Sequence, residues 1–213
     1  MSLMQQIDSV SQHLQTSLRY TVTVTAMASS NKPALISLMV RHCQKTLSDS
    51  DFLTFVSTAR ESLLKMIATI GAPLVINATA ALMDSVPQSI ADQLPKSPSR
   101  TKDEYIYSDI RSRGESLWCS VYSKQAEKLE QKIGNWYPDL IEVIKADLYG
   151  RLLSDCRILD ARSTEICTIA ALAPIDVPAQ LKSHVLGAGR LGATNDEIDA
   201  TLEIARVVMS LQK

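Results

Sequence analysis

One carboxylate and one imidazole are the residues whose types and spacing best support chemistry in this chain. Glu165 is the only charged residue between Arg162 and Asp176, within Ser163-Thr164-Glu165-Ile166-Cys167-Thr168-Ile169-Ala170-Ala171-Leu172-Ala173-Pro174-Ile175. His184 follows nineteen residues later, in Leu181-Lys182-Ser183-His184-Val185-Leu186-Gly187-Ala188. A lone carboxylate on an apolar helix is costly to bury, so its retention calls for a partner. A paired His and Glu, half out of water, tune each other's pKa and can move a proton near pH 7.

The elements that must position this pair follow from local rules. Asp160 can cap a helix running through Ala173, and Pro174 and Pro178 interrupt it. Pro178 also suits the first turn of a new helix, which the glycines at 187, 189 and 192 end. The turn therefore centres near Ile175 or Asp176, with Glu165 about ten residues before it and His184 about nine after it. In antiparallel helices rising ~1.5 Å per residue, the two side chains reach a similar height. Axes ~8–10 Å apart let them meet directly or through one water.

The residues around this hairpin resemble a known family. Tyr149-Gly150-Arg151-Leu152-Leu153, Leu159-Asp160-Ala161-Arg162, Glu165 and Gln180-Leu181-Lys182-Ser183-His184 look like the carboxymuconolactone decarboxylase family. Gly187-Ala188 and Gly192-Ala193-Thr194-Asn195-Asp196-Glu197-Ile198 extend the likeness, and upstream so do Arg113-Gly114-Glu115, Trp118, Val121-Tyr122 and Tyr137-Pro138-Asp139-Leu140. It covers roughly residues 105 to 208. That family belongs with the alkylhydroperoxidase D proteins, whose active-site pattern is Glu, then Cys-x-x-Cys, then His. Here the cysteine positions fall on Val177 and Gln180, so dithiol peroxide reduction has no electron source. Cys167 is a poor substitute, with no second cysteine close in sequence.

The resemblance implies an all-α, alkylhydroperoxidase D-like fold whose hairpins pack within and between subunits as trimers or larger rings. It also implies a lyase acting on a small carboxylated lactone or related acid. His184 would donate the proton and Glu165 would orient the imidazole. Lys182 or Arg190, with Tyr122, would meet the substrate. Such a substrate supplies its own electron sink, so neither a metal nor an organic cofactor is expected.

Composition narrows the field. The chain has 213 residues, with Lys plus Arg 22 against Asp plus Glu 23, which leaves no electrostatic footprint for nucleic acid. The four cysteines, Cys43, Cys119, Cys156 and Cys167, have neither metal-type spacing nor a disulfide framework, as suits a reducing compartment. No apolar run approaches the ~20 residues that span a bilayer. Residues 1–18 lack the apolar core of a secretory signal, and Leu211-Gln212-Lys213 is not a clear peroxisomal address. The expectation is an intracellular protein, in the cytoplasm ahead of a mitochondrial or peroxisomal matrix.

Along the chain nearly everything reads as helix. Leu3, Ile7, Val10, Leu14 and Leu18 predict one amphipathic first helix, extended through Tyr20–Thr25. Pro33 opens a second through Leu47, and Ser50 or Asp51 caps a third. Prolines 87, 95 and 98 mark a linker over 84–101. A long helix is expected from Asp103 to Ile133 with Gly114 as its weak point, another from Pro138 to Leu148, and a last from a Thr194/Glu197 capping box to Leu211. Residues 59–78 share the helix, proline-marked turn, helix layout of 160–190. At an offset of 104, Glu61 aligns with Glu165 and Ala80 with His184. The chain thus divides into a degenerate half, 1–100, and a half at 101–213 that keeps the pair.

Other readings of the same residues stay open. Glu165 can instead cap a neighbouring helix or pair with Arg162 or Lys182, and His184 can be a satisfied interior histidine. Trp118, Tyr122, Trp136 and Tyr137 read as packing residues, Cys167 as a small core residue, and His13 and His42 as incidental. The rival to an enzyme is a helical oligomeric scaffold that kept the fold and lost the chemistry. A third reading, a peroxidase using Cys167 and an external thiol, requires a depressed Cys167 pKa.

Overall fold

Helical periodicity, punctuated by prolines and hydroxylated caps, sets the order of elements. The computed structural model describes residues 2–101 and 106–211, and no strand occurs among them. The helices are α1 (Leu3–Val10), α2 (Thr16–Ser29), α3 (Pro33–Thr46), α4 (Asp49–Lys65), α5 (Ile67–Met83), the short α6 (Gln88–Ala91), α7 (Tyr107–Tyr122), α8 (Ala126–Trp136) and α9 (Pro138–Val143). A π-helix, Ile144–Leu153, continues α9, and α10 (Ala161–Leu172), α11 (Pro178–Arg190) and α12 (Asn195–Ser210) complete the chain.

Two helices made mostly of apolar and hydroxylated residues form the centre, as burial on every side requires. Every residue from Tyr20 to Ser29 in α2 and from Thr164 to Leu172 in α10 is buried. Ser29 Oγ donates to the Ala171 carbonyl at 2.5 Å, closing α2 onto α10. Hydroxyl pairs Thr21–Thr58 and Thr25–Ser62, both 2.7 Å, fasten α2 to α4. Helices α3, α4 and α5 pack on the α2 side and α11 on the α10 side, α12 packs against both, and α7 lies beyond α11 against the π-helix.

That last contact is made by two facing glycines. A Cβ on Gly114 would stand 2.8 Å from Gly150 N and closer still to the Lys145 carbonyl, and one on Gly150 would stand 2.9 Å from Ile110 Cγ2. The long helix expected through Gly114 is therefore continuous there and breaks instead at Ser123, in the left-handed region at φ 51°. Its expected start at Asp103 lies outside the described residues.

Other boundaries shift for local reasons. The single first helix is interrupted over 11–15, where Leu14 is buried and Arg19 donates to the carbonyls that the break frees, Ser11 O at 3.1 Å and Leu14 O at 3.4 Å. Ser48, not Ser50 or Asp51, caps α4 by accepting from Asp51 N. The helix from Pro138 continues past Leu148 because it widens to i→i+5 bonding, as Ser154 N to Tyr149 O at 2.8 Å shows. The segment expected as a linker, 84–101, packs on the core through buried Val86, Ile90 and Leu94. Trp136 and Tyr137, expected to pack, are 66 % and 56 % exposed. No described helix is long and apolar enough to cross a membrane.

Candidate functional site

The hairpin forms as local rules require. Asp160 accepts from Ser163 N at 2.7 Å to start α10, Asp176 takes the left-handed conformation in the turn, and Pro178 opens α11. Glu165 and His184 then face each other across the two helices. The Nδ1–H of His184 donates to Glu165 Oε2 at 2.7 Å, the carboxylate being able only to accept. Glu165 is fully buried and His184 is 5 % exposed. Gly187 lets α11 come this close. A Cβ there would lie 2.9 Å from Val121 Cγ1 and 3.2 Å from Glu165 Oε2.

The pair is incomplete in a specific way. Among the described residues Glu165 Oε1 is buried without a hydrogen-bond partner, and the contact to Glu165 occupies only Nδ1 of the His184 ring. The site therefore presents a carboxylate oxygen that the described residues leave unsatisfied, beside an imidazole with one ring nitrogen already held.

An aromatic wall stands beside it. Tyr122 meets the His184 ring edge-on at 6.0 Å between centroids. The Tyr149 hydroxyl donates to the Tyr122 hydroxyl at 3.0 Å, and Trp118 packs on both rings at 4.2 and 5.1 Å. Burial pushes the Tyr149 hydroxyl well above its ordinary pKa, with the Tyr122 and Glu165 charges adding to it. Burial raises Tyr122 too. Both phenols are therefore neutral at physiological pH.

The other expected site residues are dispersed. Tyr122 is beside the pair, but Lys182 is exposed and the Arg190 guanidinium donates to the Val121 carbonyl near the end of α7. Of the alternative partners for Glu165, Arg162 pairs with Glu197 instead. Cys167 is fully buried, and burial pushes its thiol up to about 11, the opposite of what a peroxidatic cysteine needs. His13 and His42 are less isolated than expected, each 3.8 Å from a carboxylate, of Asp196 and Asp8 respectively. Among the described residues no group of three or more His, Cys, Asp or Glu is placed to hold a metal ion.

Two supporting residues escaped the sequence reading. Tyr149 reaches the site from a π-helix, which helical periodicity does not signal. Lys65 is fully buried on α4 and donates to Leu153 O and Leu159 O at 3.1 Å and to Thr164 Oγ1 at 2.7 Å, pinning the start of α10 beside Glu165. Desolvation pulls its pKa down. A lysine one turn after Glu61, following Leu63-Leu64 and preceding Met66-Ile67, was the available signal. Glu61 itself, aligned with Glu165, is paired with Arg100 at 2.5 Å, where Glu165 has an imidazole.

Two surface cavities, of about 560 and 360 Å³, are lined by residues other than Glu165 and His184.

Comparison with known proteins adds a name for two relatives. No family model matches the chain, and no solved structure matches it. It is 27 % identical over 186 residues to Peroxisomal protein 2 of Schizosaccharomyces pombe, across 87 % of this chain and 83 % of that protein. It is 27 % identical over 168 residues to Peroxisomal protein 2 of Saccharomyces cerevisiae, across 70 % of this chain and 59 % of that relative's length.

Proposed function

We propose that this chain is a peroxisomal member of the carboxymuconolactone decarboxylase family, acting without a cofactor on a small carboxylated lactone or related acid. The observation that carries the reading is the buried His184–Glu165 pair, whose Oε1 is buried without a hydrogen-bond partner among the described residues and whose second ring nitrogen is not the one that Glu165 holds. The peroxisomal part rests on the printed names of the two relatives. Assembly into a homo-oligomer, a trimer or larger ring, belongs to the same proposal.

The chemistry follows from the pair. Loss of CO₂ from a γ-carboxy lactone leaves the bonding electrons in a dienolate delocalised into the lactone carbonyl. That anion must be stabilised and protonated at carbon. With Nδ1–H held by Glu165, Nε2 is the nitrogen that meets the substrate and delivers the proton to carbon. Proton transfer of this kind contributes ~10²–10⁴ in rate. Neutral Tyr122, edge-on to the ring, closes one side against water. The test is decarboxylation of a carboxymuconolactone panel in D₂O, followed by NMR. Deuterium at the product carbon, lost in His184→Gln, supports the role, whereas activity unchanged in that variant removes it.

A second reading has one observation behind it. Neither cavity borders the pair, and His184 is nearly sealed. A non-catalytic helical scaffold uses the same pair as a buried structural contact. Wild-type inactivity across the panel, with an assembly that His184→Gln disrupts, selects it.

A further inference from the structure

Two groups beside the His184 ring have hydrogen-bonding capacity that no described residue uses. One is Glu165 Oε1, an acceptor sealed without a donor. The other is the Tyr122 hydroxyl, at the end of α7. It accepts from the Tyr149 hydroxyl at 3.0 Å and donates to no described residue. Each phenol has a single proton, and that of Tyr149 is spent on Tyr122, so the free one belongs to Tyr122. Burial, with the Glu165 charge adding to it, raises the Tyr122 phenol, which keeps that proton at physiological pH. A hydroxyl that already accepts one bond is polarised to donate the next more strongly.

The rings that carry these hydroxyls are fixed. Trp118, 1 % exposed and donating from its indole nitrogen to the Ala126 carbonyl at 3.2 Å, packs on both. Arg190 on α11 holds the Val121 carbonyl, one residue before Tyr122. Tyr122 itself stands edge-on to His184. A neutral donor and an unpaired carboxylate oxygen thus flank one imidazole, and they treat the two ends of an acid differently. The carboxylate oxygen repels a second carboxylate, whereas the phenol favours an oxygen on which negative charge collects.

We infer that Tyr122 is a catalytic residue whose hydroxyl donates to the lactone carbonyl oxygen as CO₂ leaves, and that Tyr149 is the positioning residue that aims it. This rests on the lyase reading above. The bonding electrons released with CO₂ come to rest on that oxygen, the Tyr122 bond holds them there, and His184 supplies the proton at carbon. Of Tyr122, Tyr149, Glu165 and His184, only Tyr122 is part-exposed, so the substrate enters on its side, lactone first.

The probe is tetronate, a stable lactone anion whose charge is shared with the ring carbonyl, titrated into the full chain by calorimetry. Wild type should bind it, and Tyr122→Phe should weaken binding about tenfold, as for one lost bond to a charged group. Tyr149→Phe should weaken it by less. 3-Fluorotyrosine at position 122, a stronger acid of nearly the same shape, should tighten it, a response that a packing role does not give. Circular dichroism melts verify that each form folds. No tetronate binding, or equal affinity in Tyr122→Phe, overturns the donor, and equal affinity in Tyr149→Phe removes its positioning role. Turnover of the carboxymuconolactone panel is read separately. A fall in kcat of ~10²-fold in Tyr122→Phe, with KM nearly unchanged, supports donor and lyase together. Turnover unchanged in Tyr122→Phe overturns the donor and leaves the lyase. Tetronate binding that needs Tyr122, in a chain without turnover, leaves the donor and removes the lyase.

Discussion

Glu165 and His184 are joined by a single hydrogen bond, Nδ1 to Oε2 at 2.7 Å, in a place where the second carboxylate oxygen has no hydrogen-bond donor among the described residues. A buried oxygen without a donor costs ~1–3 kcal/mol, more when charged. A purely structural pair would be selected to satisfy it, and no described residue does so. The asymmetry is what gives the pair its chemical reading, and it can be measured without a substrate.

Two substitutions should separate by their effect on stability. His184→Ala strands a buried carboxylate and should cost ~3–5 kcal/mol. Glu165→Gln removes the charge yet keeps an acceptor for Nδ1–H, and should cost less than about 1.5 kcal/mol. Urea denaturation with constant slope checks this. Equal costs for the two would mean that the carboxylate is not held as an anion against the ring.

Gly187 sets how near α11 comes to the pair. A methyl there would press on Val121 Cγ1 at 2.9 Å and on Glu165 Oε2 at 3.2 Å, against a helix that is itself packed. Gly187→Ala should therefore lose ~1–3 kcal/mol despite the better helix propensity of alanine. Gly189→Ala is the control, since nothing lies within 4 Å of its Cβ position. It should be neutral or gain stability in the same melts.

The cysteines should divide cleanly. Cys119 and Cys156 are exposed, and Cys43 and Cys167 are buried with thiols that desolvation raises, to about 11 for Cys167. Iodoacetamide at pH 8 should modify the first two within minutes and leave the others until urea is added, by intact-mass analysis. Rapid native labelling of Cys167, or its oxidation by stoichiometric peroxide, would restore the thiol-peroxidase reading.

The parts of this fold legible in sequence were those governed by local rules. Asp160, Pro178, Thr194 and Glu197 act where capping and proline chemistry place them, and the spacing of Glu165 and His184 about one turn brought them into contact. What stayed hidden depends on distant partners. The break at 11–15 is held by Arg19, the π-helix carrying Tyr149 answers to the crossing of Gly114 and Gly150, and Lys65 is buried because three acceptors from other segments converge on it. The alternation of Tyr20 to Thr25 resembled a strand because α2 is buried all round, so no single face carries the helical period. Glu61 gave no hint of Arg100, thirty-nine residues away.

Acid should weaken the fold through Asp155. Burial alone would raise its pKa, but hydrogen bonds from the Arg157 side chain and backbone, with the charges of Arg100 and Arg157, outweigh it and bring the carboxyl from 3.8 to about 2. A folded pKa below the unfolded one means that the ionised form is favoured by folding. The stabilisation is thus fully present above about pH 4 and is lost as pH falls through about 2. Asp155→Asn removes the carboxylate, leaves Arg100 to Glu61 alone, and should flatten that limb of the stability curve between about pH 4 and 2 while lowering stability at pH 7. Melting temperatures of both forms across pH 2–7 measure it. Parallel curves would mean that solvent screens Asp155 from its arginines, and Glu61→Gln in the same series shows whether Arg100 is held chiefly by α4.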